Sequence, residues 1–314
     1  MPVGPGAAGF APGGRDSLGG VEPPFLVMGI VNVTPDSFSD GGRYLRHDDA
    51  VAHGLELARE GADVLDVGGE STRPGALPVG AQEEIARTVP VIEGLRSAGA
   101  QLSIDTTKLS VARAAVEAGA TYVNDVSAFR FEPELAAYVA DAKVDCCLMH
   151  MRGEPRTMQD DPVYDDVVDD VKAHLEERLA FATSQGIAED RIHLDPGIGF
   201  GKTVEHNLEL LRRLDELAAL GRPILIGVSR KGFLGKLTGR EVHDRLPATI
   251  AANVLALRGG ARLFRVHDVA PVRDALTVAA ATFPPTWPTT SQTATTSPTT
   301  TTSSTPATTA SRPS

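Results

Sequence analysis

Residues 25–283 of this 314-residue chain predict a (β/α)8 barrel, and two observations carry the prediction. Short apolar runs recur eight times, each followed by a longer helical pattern. Nearly every run also ends in a polar side chain, whereas its start carries few. Continuous apolar runs suit parallel strands buried on both faces. Eight alternations in about 260 residues fit one barrel, with a doubly wound open sheet as the competing architecture. A barrel brings all eight strand ends to one rim around one pocket. An open sheet does not, so the polar ends favour closure.

The runs lie at 24–33 (PFLVMGIVNV), 63–67 (DVLDV), 102–105 (LSID), 122–125 (YVND), 145–150 (DCCLMH), 192–195 (IHLD), 224–228 (ILIGV) and 263–266 (LFRV). Between them, Val51, Leu55 and Ala58 recur at helical spacing, and so do Leu210, Leu214 and Leu217. Ala-rich stretches at 111–118 and 248–257 give further helices. Gly61, Gly99, Gly119, Gly186, Gly221 and Gly260 stand just past helical patterns, where a left-handed closing residue is favoured. The strand ends carry Asn32, Asp66, Asp105, Asn124 with Asp125, His150, Asp195, Ser229–Arg230–Lys231, and Arg265 with His267.

The flanks are different in kind. Residues 1–24 are rich in Gly, Ala and Pro without apolar periodicity, and residues 284–314 contain 13 Thr and a single charge, Arg312. Too little apolar surface exists there to offset the entropy of ordering, so both flanks read as disordered extensions. The net charge of −11 with no basic stripe argues against a nucleic-acid partner. Cys146 and Cys147 are adjacent in one strand and point to opposite faces, which suits neither a disulfide nor a two-ligand metal site. That usage fits a reducing cytoplasm. No apolar run is long enough to span a membrane, and no secretion signal opens the chain.

Four segments carry candidate chemistry. Asn32 through Gly42 (NVTPDSFSDGG) offers an amide and two carboxylates, which can bind a hard cation such as Mg²⁺ or form a capped polar turn. Gly68 through Ala76 (GGESTRPGA) pairs two glycines with Arg73, which either grips an anion bidentately or lies exposed in its loop. Asp195 through Lys202 (DPGIGFGK) is glycine-rich but lacks the spacing of a nucleotide-binding P-loop. No G-x-G-x-x-G opens a helix after the first strand either, so nicotinamide binding is disfavoured. Lys231, Arg265 and His267 end strands seven and eight, where barrels often bind phosphate. Asp105, Asn124 and Asp195 should reach the interior. There they either hydrogen-bond the N–H edge of a heterocycle or, for the two acids, pair with Lys231 and Arg265.

These motifs, together with SIDT at 103–106, VNDVS at 123–127, LMHM at 148–151, LDPGIGFGK at 194–202, VSRKGFLG at 228–235 and RVHDV at 265–269, resemble the dihydropteroate synthases over about residues 25–283. The resemblance implies a (β/α)8 barrel, usually a homodimer. It implies a transferase that condenses 6-hydroxymethyl-7,8-dihydropterin diphosphate with 4-aminobenzoate and expels diphosphate. It places the pterin against Asp105, Asn124, Asp195 and Lys231, with Met149 packed on the ring. Thr72, Arg265 and His267 would contact the diphosphate, and Asn32 would ligate Mg²⁺. The 4-aminobenzoate, and sulfonamides competing with it, would sit among Phe38, Thr72, Arg73, Pro74, Phe200, Ser229 and Lys231. Asp40 would stabilise a pterin cation left by the departing diphosphate, before the arylamine attacks. The rival readings are a pterin-binding methyltransferase domain, which needs neither diphosphate site nor the first two loops, and a non-catalytic pterin-binding homologue.

Overall fold

The computed structural model describes residues 24–33, 43–72, 75–154 and 157–282. The elements, in chain order, are β1 (Leu26–Asn32), α1 (Arg43–Glu60), β2 (Val64–Gly68), α2 (Ala81–Leu95), β3 (Gln101–Asp105), α3 (Leu109–Ala118), β4 (Tyr122–Asp125) and α4 (Glu134–Ala142). There follow β5 (Asp145–Met149), α5 (Val167–Ser184), β6 (Ile192–Asp195), α6 (Val204–Arg212), α7 (Leu214–Ala218), β7 (Ile224–Ile226), α8 (Gly232–Thr238), α9 (Leu246–Arg258), β8 (Ala261–Val266) and α10 (Val269–Thr282). The eight strands are parallel and pair in sequence order into a closed barrel, β8 returning to β1. Each apolar run has become a strand, and closure decides against the open sheet.

Alternation along each strand divides the side chains into two sets. On β5, Cys146 and Leu148 join the shell between barrel and helices, with Val27, Val67 and Ile104. Cys147 points inward with Met28, Val64, Tyr122, Leu225 and Leu263 to plug the lower barrel. The adjacent cysteines are thus buried, free and on opposite faces, as their spacing requires. Each fully buried Leu, Ile or Val of the shell contributes about 1.5–3 kcal/mol.

Two residues further along the same strands the interior turns polar. Val64 is succeeded by Asp66, Tyr122 by Asn124 and Leu263 by Arg265. The register sets Asn32, Gly68, Asp105 and Asn124 in one row across β1–β4. A dry plug below and a polar floor above is therefore written into every second residue.

All six glycines expected to close helices have positive φ. The run through Leu210, Leu214 and Leu217 departs from one continuous helix. The three leucines are buried together, but Arg213 leaves helical geometry at φ −110 and ψ 29 and splits α6 from α7. No Gly or Pro causes the break. Arg213 is instead held by Asp166 at 2.7 Å, a tertiary anchor that overrides helical propensity. Of the terminal extensions, 1–23 and 284–314 lie outside the described residues.

Candidate functional site at the strand C-terminal rim

Asp66 is the hub of the floor and is completely buried. Its carboxylate accepts from Ser103 Oγ at 2.5 Å, Asn124 Nδ2 at 3.0 Å and Arg265 Nε at 2.6 Å. Arg265 reaches on across the barrel, and its Nη2 donates to Asp105 Oδ2 at 2.8 Å. β8 thereby joins β2 and β3 through a guanidinium fork matched to two carboxylates. Burial pushes the Asp105 carboxyl up to about 7, against the pull of Arg265. Burial also works against the Arg265 charge, but Asp66 and Asp105 outweigh it and hold the guanidinium above its ordinary value. Of the alternatives left open by sequence, Arg265 does pair with Asp105. Asp66 lies outside the sequence motifs, and only its strand-end position two before Gly68 marks it in the sequence.

The opposite wall is made by the β6–α6 loop. Asp195 Oδ1 accepts from Gly197 N at 2.7 Å, and burial raises its carboxyl above the usual range. Gly197 has φ +67, and a Cβ there would lie 1.8 Å from the His150 carbonyl oxygen. Only glycine lets the loop pass so close to β5. Lys202, almost fully buried, donates to His150 Nδ1 at 2.9 Å, Gly197 O at 3.0 Å and Phe200 O at 3.1 Å. Burial draws its pKa well down, with Lys231 adding to the effect, while Asp195 opposes it. Three acceptors match the three protons of an ammonium and favour the charged form. Burial, with Lys202 next, likewise keeps His150 far below its usual value and so neutral.

Lys231 completes this wall. Its Nζ donates to Ile198 O and lies 4.1 Å from the centroid of the Phe200 ring. Burial lowers Lys231 to about 8; Asp195 and Asp105 act to raise it and Arg265 to lower it, so all four charges share one neighbourhood. Met149 is buried beside Phe200, Val126, Met151 and Met158, forming an apolar flank next to this wall. At the rim, Ser229 Oγ lies 3.0 Å from His267 Nδ1, and His267 N donates back to Ser229 Oγ at 3.2 Å. The side chains at the ends of the last two strands therefore divide. Arg265 points across the floor and His267 toward β7. Arg230, at φ +56, turns to Asp268 and makes two hydrogen bonds to its carboxylate.

Asn32 stands at the head of the polar row, with Oδ1 3.9 Å from where a side chain on Gly68 would begin. Thr72 is half-buried in the β2–α2 loop. Phe38, Asp40, Arg73 and Pro74 lie outside the described residues. Among the described residues no group of three or more His, Cys, Asp or Glu is arranged to hold a metal. Asp105, Asn124, Asp195, Lys231 and Arg265 are thus gathered over one floor, with Met149 and Phe200 as its apolar flank. Such a cluster offers carboxylates and an amide to a planar N–H edge, an apolar face to its ring, and cations to an attached anion.

A family profile described as pterin binding enzyme matches residues 28–267. A dihydropteroate synthase of Synechocystis is 45% identical over 257 residues, 81% of this chain and 89% of its own length. The Xanthomonas albilineans dihydropteroate synthase with 4-aminobenzoic acid superimposes with a TM-score of 0.77 at 53% identity, covering 82% of this chain and 92% of that one. The same enzyme in complex with 7,8-dihydropteroate gives a TM-score of 0.73 at 47% identity over 82% and 92% of the two chains. The chain belongs to the dihydropteroate synthase family of pterin-binding enzymes.

Proposed function

We infer that the chain works as a dihydropteroate synthase, a transferase that joins 6-hydroxymethyl-7,8-dihydropterin diphosphate to 4-aminobenzoate and releases diphosphate. The observation that carries this reading is the polar cluster at the strand ends, where Asp105 and, through Asp66, Asn124 gather on Arg265, and where Lys231 lies among the charges of Asp195, Asp105 and Arg265.

In this reading the floor orients the ring. Asp195 accepts from the pterin N–H edge, Asn124 offers donor and acceptor, and Met149 packs on the ring face. Arg265 and His267 neutralise the diphosphate as the C–O bond at the pterin methylene breaks, and each well-placed donor contributes about 3–4 kcal/mol. The arylamine nitrogen then bonds to that carbon and loses a proton. It is already nucleophilic, so no Ser or Cys nucleophile is required. Thr72, Ser229 and Phe200 border the place for the 4-aminobenzoate, where a sulfonamide of similar shape would compete. Asp40 remains assigned to stabilising the cation.

Mg²⁺ suits this site as an ion carried by the diphosphate. It usually keeps several waters and takes one or two protein oxygens, and Asn32 offers an amide oxygen at the rim. When bound, it would add positive charge against the leaving group. A homodimer is proposed on the family resemblance, and it would give the exposed Leu237, Val242 and Leu255 of the α8–α9 region a surface to cover. No helix among the described residues is long and apolar enough to cross a membrane, and a cytoplasmic location is proposed on the buried free thiols.

The test is release of diphosphate from the pterin substrate. It should depend on 4-aminobenzoate and Mg²⁺, and 4-aminobenzoate should bind measurably only after diphosphate. Pterin binding without release would support the non-catalytic alternative instead.

A further inference from the structure

Behind the β2–α2 loop lies an ion cluster that the reaction itself does not use. Lys108, at the N-cap of α3, sends its ammonium to both Glu70 in the loop and Glu84 on α2. Glu84 is completely buried, whereas Glu70 and Lys108 are each about one-fifth to one-quarter exposed, at 25% and 19%. Lys108 follows Asp105 by three residues, so it belongs to the same strand end that supplies the floor. Glu70 directly precedes Ser71 and Thr72.

Further contacts hold the loop where it leaves β2. Arg87 Nη1 donates to Gly69 O at 2.7 Å, and Val79 N donates to Glu70 Oε1 at 3.2 Å. A Cβ on Gly69 would meet Thr88 Cγ2 at 2.8 Å, so the backbone lies flat on α2. We propose that Lys108, Glu70 and Glu84 form a positioning device that holds the β2–α2 loop, and with it Thr72, in register with the end of β3 that carries Asp105. The proposal rests on the reading that Thr72 faces the second substrate. It explains why a charged side chain is buried on α2 at all. An acid completely enclosed by its helix costs stability unless it is paired, and Glu84 is paired through the lysine that also grips the loop. Burial raises the Glu84 carboxyl, and Glu84 in turn is one of the charges that raise Asp105, behind burial itself.

Glu70→Ala severs the loop while leaving the buried Lys108–Glu84 pair intact, so the variant should fold. The expected result is a KM for 4-aminobenzoate raised about tenfold, a coupling of 1.4 kcal/mol. The dissociation constant of 6-hydroxymethylpterin, which meets the floor and not the loop, should stay within about twofold. Glu70→Gln, which keeps an acceptor for Lys108, should recover part of the loss. Hydrogen exchange at the Thr72 and Val79 amides should quicken in Glu70→Ala whether or not the chain turns over. Unchanged exchange at both amides overturns the positioning role. So do an unchanged KM in an active enzyme and an equal loss for both ligands. Quickened exchange in a chain that releases no diphosphate would retain the device and remove the catalytic reading instead.

Discussion

The two halves of the barrel mouth hold their charges by different means. On the side of β8, β2, β3 and β4, side chains satisfy one another: Arg265 with Asp66 and Asp105, Ser103 and Asn124 with Asp66. On the side of β5, β6 and β7, main chain does the work. Lys202 and Lys231 donate to the carbonyls of Gly197, Phe200 and Ile198, and Asp195 accepts from a backbone amide. The first half is a closed electrostatic set, which fails as a unit when one member is removed. The second is a shaped loop, which fails when its backbone is obstructed. Substitutions should therefore break the halves differently.

The largest effect is expected for Arg265→Ala. Turnover should fall about 100- to 1,000-fold, the loss of one well-placed donor to a developing charge. The structure adds a folding cost that a strand-end arginine does not announce. Asp66 would remain fully buried without its cation, a loss of about 3–5 kcal/mol. Adding Asp66→Asn should restore part of the stability and none of the turnover. Denaturant titration and steady-state diphosphate release separate the two, and normal turnover in Arg265→Ala would refute the assignment.

Gly197→Ala probes the other half. Its Cβ would lie 1.8 Å from a backbone carbonyl, so no rotamer change can relieve the clash. Gly221 also has positive φ, at +79, but nothing lies within 4 Å of a Cβ there. Gly221→Ala should cost about 1–3 kcal/mol from φ alone, with turnover kept. Gly197→Ala should cost more and lose most of its turnover, because the loop also fixes Phe200 and Lys231. Equal effects at the two glycines would show that the approach to His150 is unimportant.

The halves should also titrate in opposite senses. Asp105 is raised to about 7, so it is a carboxylate only above that pH. Lys231 is lowered to about 8, so it is an ammonium only below that pH. If both charged forms are needed, kcat/KM for the pterin diphosphate rises through the first value and falls through the second. Asp105→Asn should flatten the acid limb, and Lys231→Arg should move the alkaline limb upward. A profile level from about pH 6 to about pH 9 counts against charged roles for this pair.

The fold was legible in sequence because parallel strands buried on both faces leave uninterrupted apolar runs, and because a barrel puts chemistry at one end of each run. Val64–Asp66 and Leu263–Arg265 show both signals in three residues. Pairing across the barrel was not legible. Arg265 meets Asp66 and Asp105 at separations of 199 and 160 residues, a choice that closure makes and local pattern does not. Lys202 read as the tail of a glycine-rich loop, and its three acceptors appear only once the loop folds back on β5. Glu84 sits in a helix with acids at neighbouring positions, and nothing in its spacing marks it as the buried one.

Arg230 sharpens the contrast with the smallest expected effect. In sequence it stands beside Lys231, and both belong to the cation-rich end of strand seven. In the structure only Lys231 joins the charges of the floor. Arg230 takes a left-handed φ, which aims neighbouring side chains apart, and its guanidinium pairs with Asp268 at the surface. Its backbone is secured separately, with its N–H donating to Thr249 Oγ1 at 3.0 Å and its carbonyl accepting from Arg245 at 3.1 Å. Arg230→Ala removes only a partly exposed ion pair, so stability should fall by about 1 kcal/mol or less. Turnover should stay within about threefold, less than 1 kcal/mol of barrier. High salt should erase most of the stability difference, because exposed pairs are screened. A loss of turnover approaching that of Arg265→Ala would mean that Arg230 leaves Asp268 when substrate binds and serves the diphosphate beside Arg265.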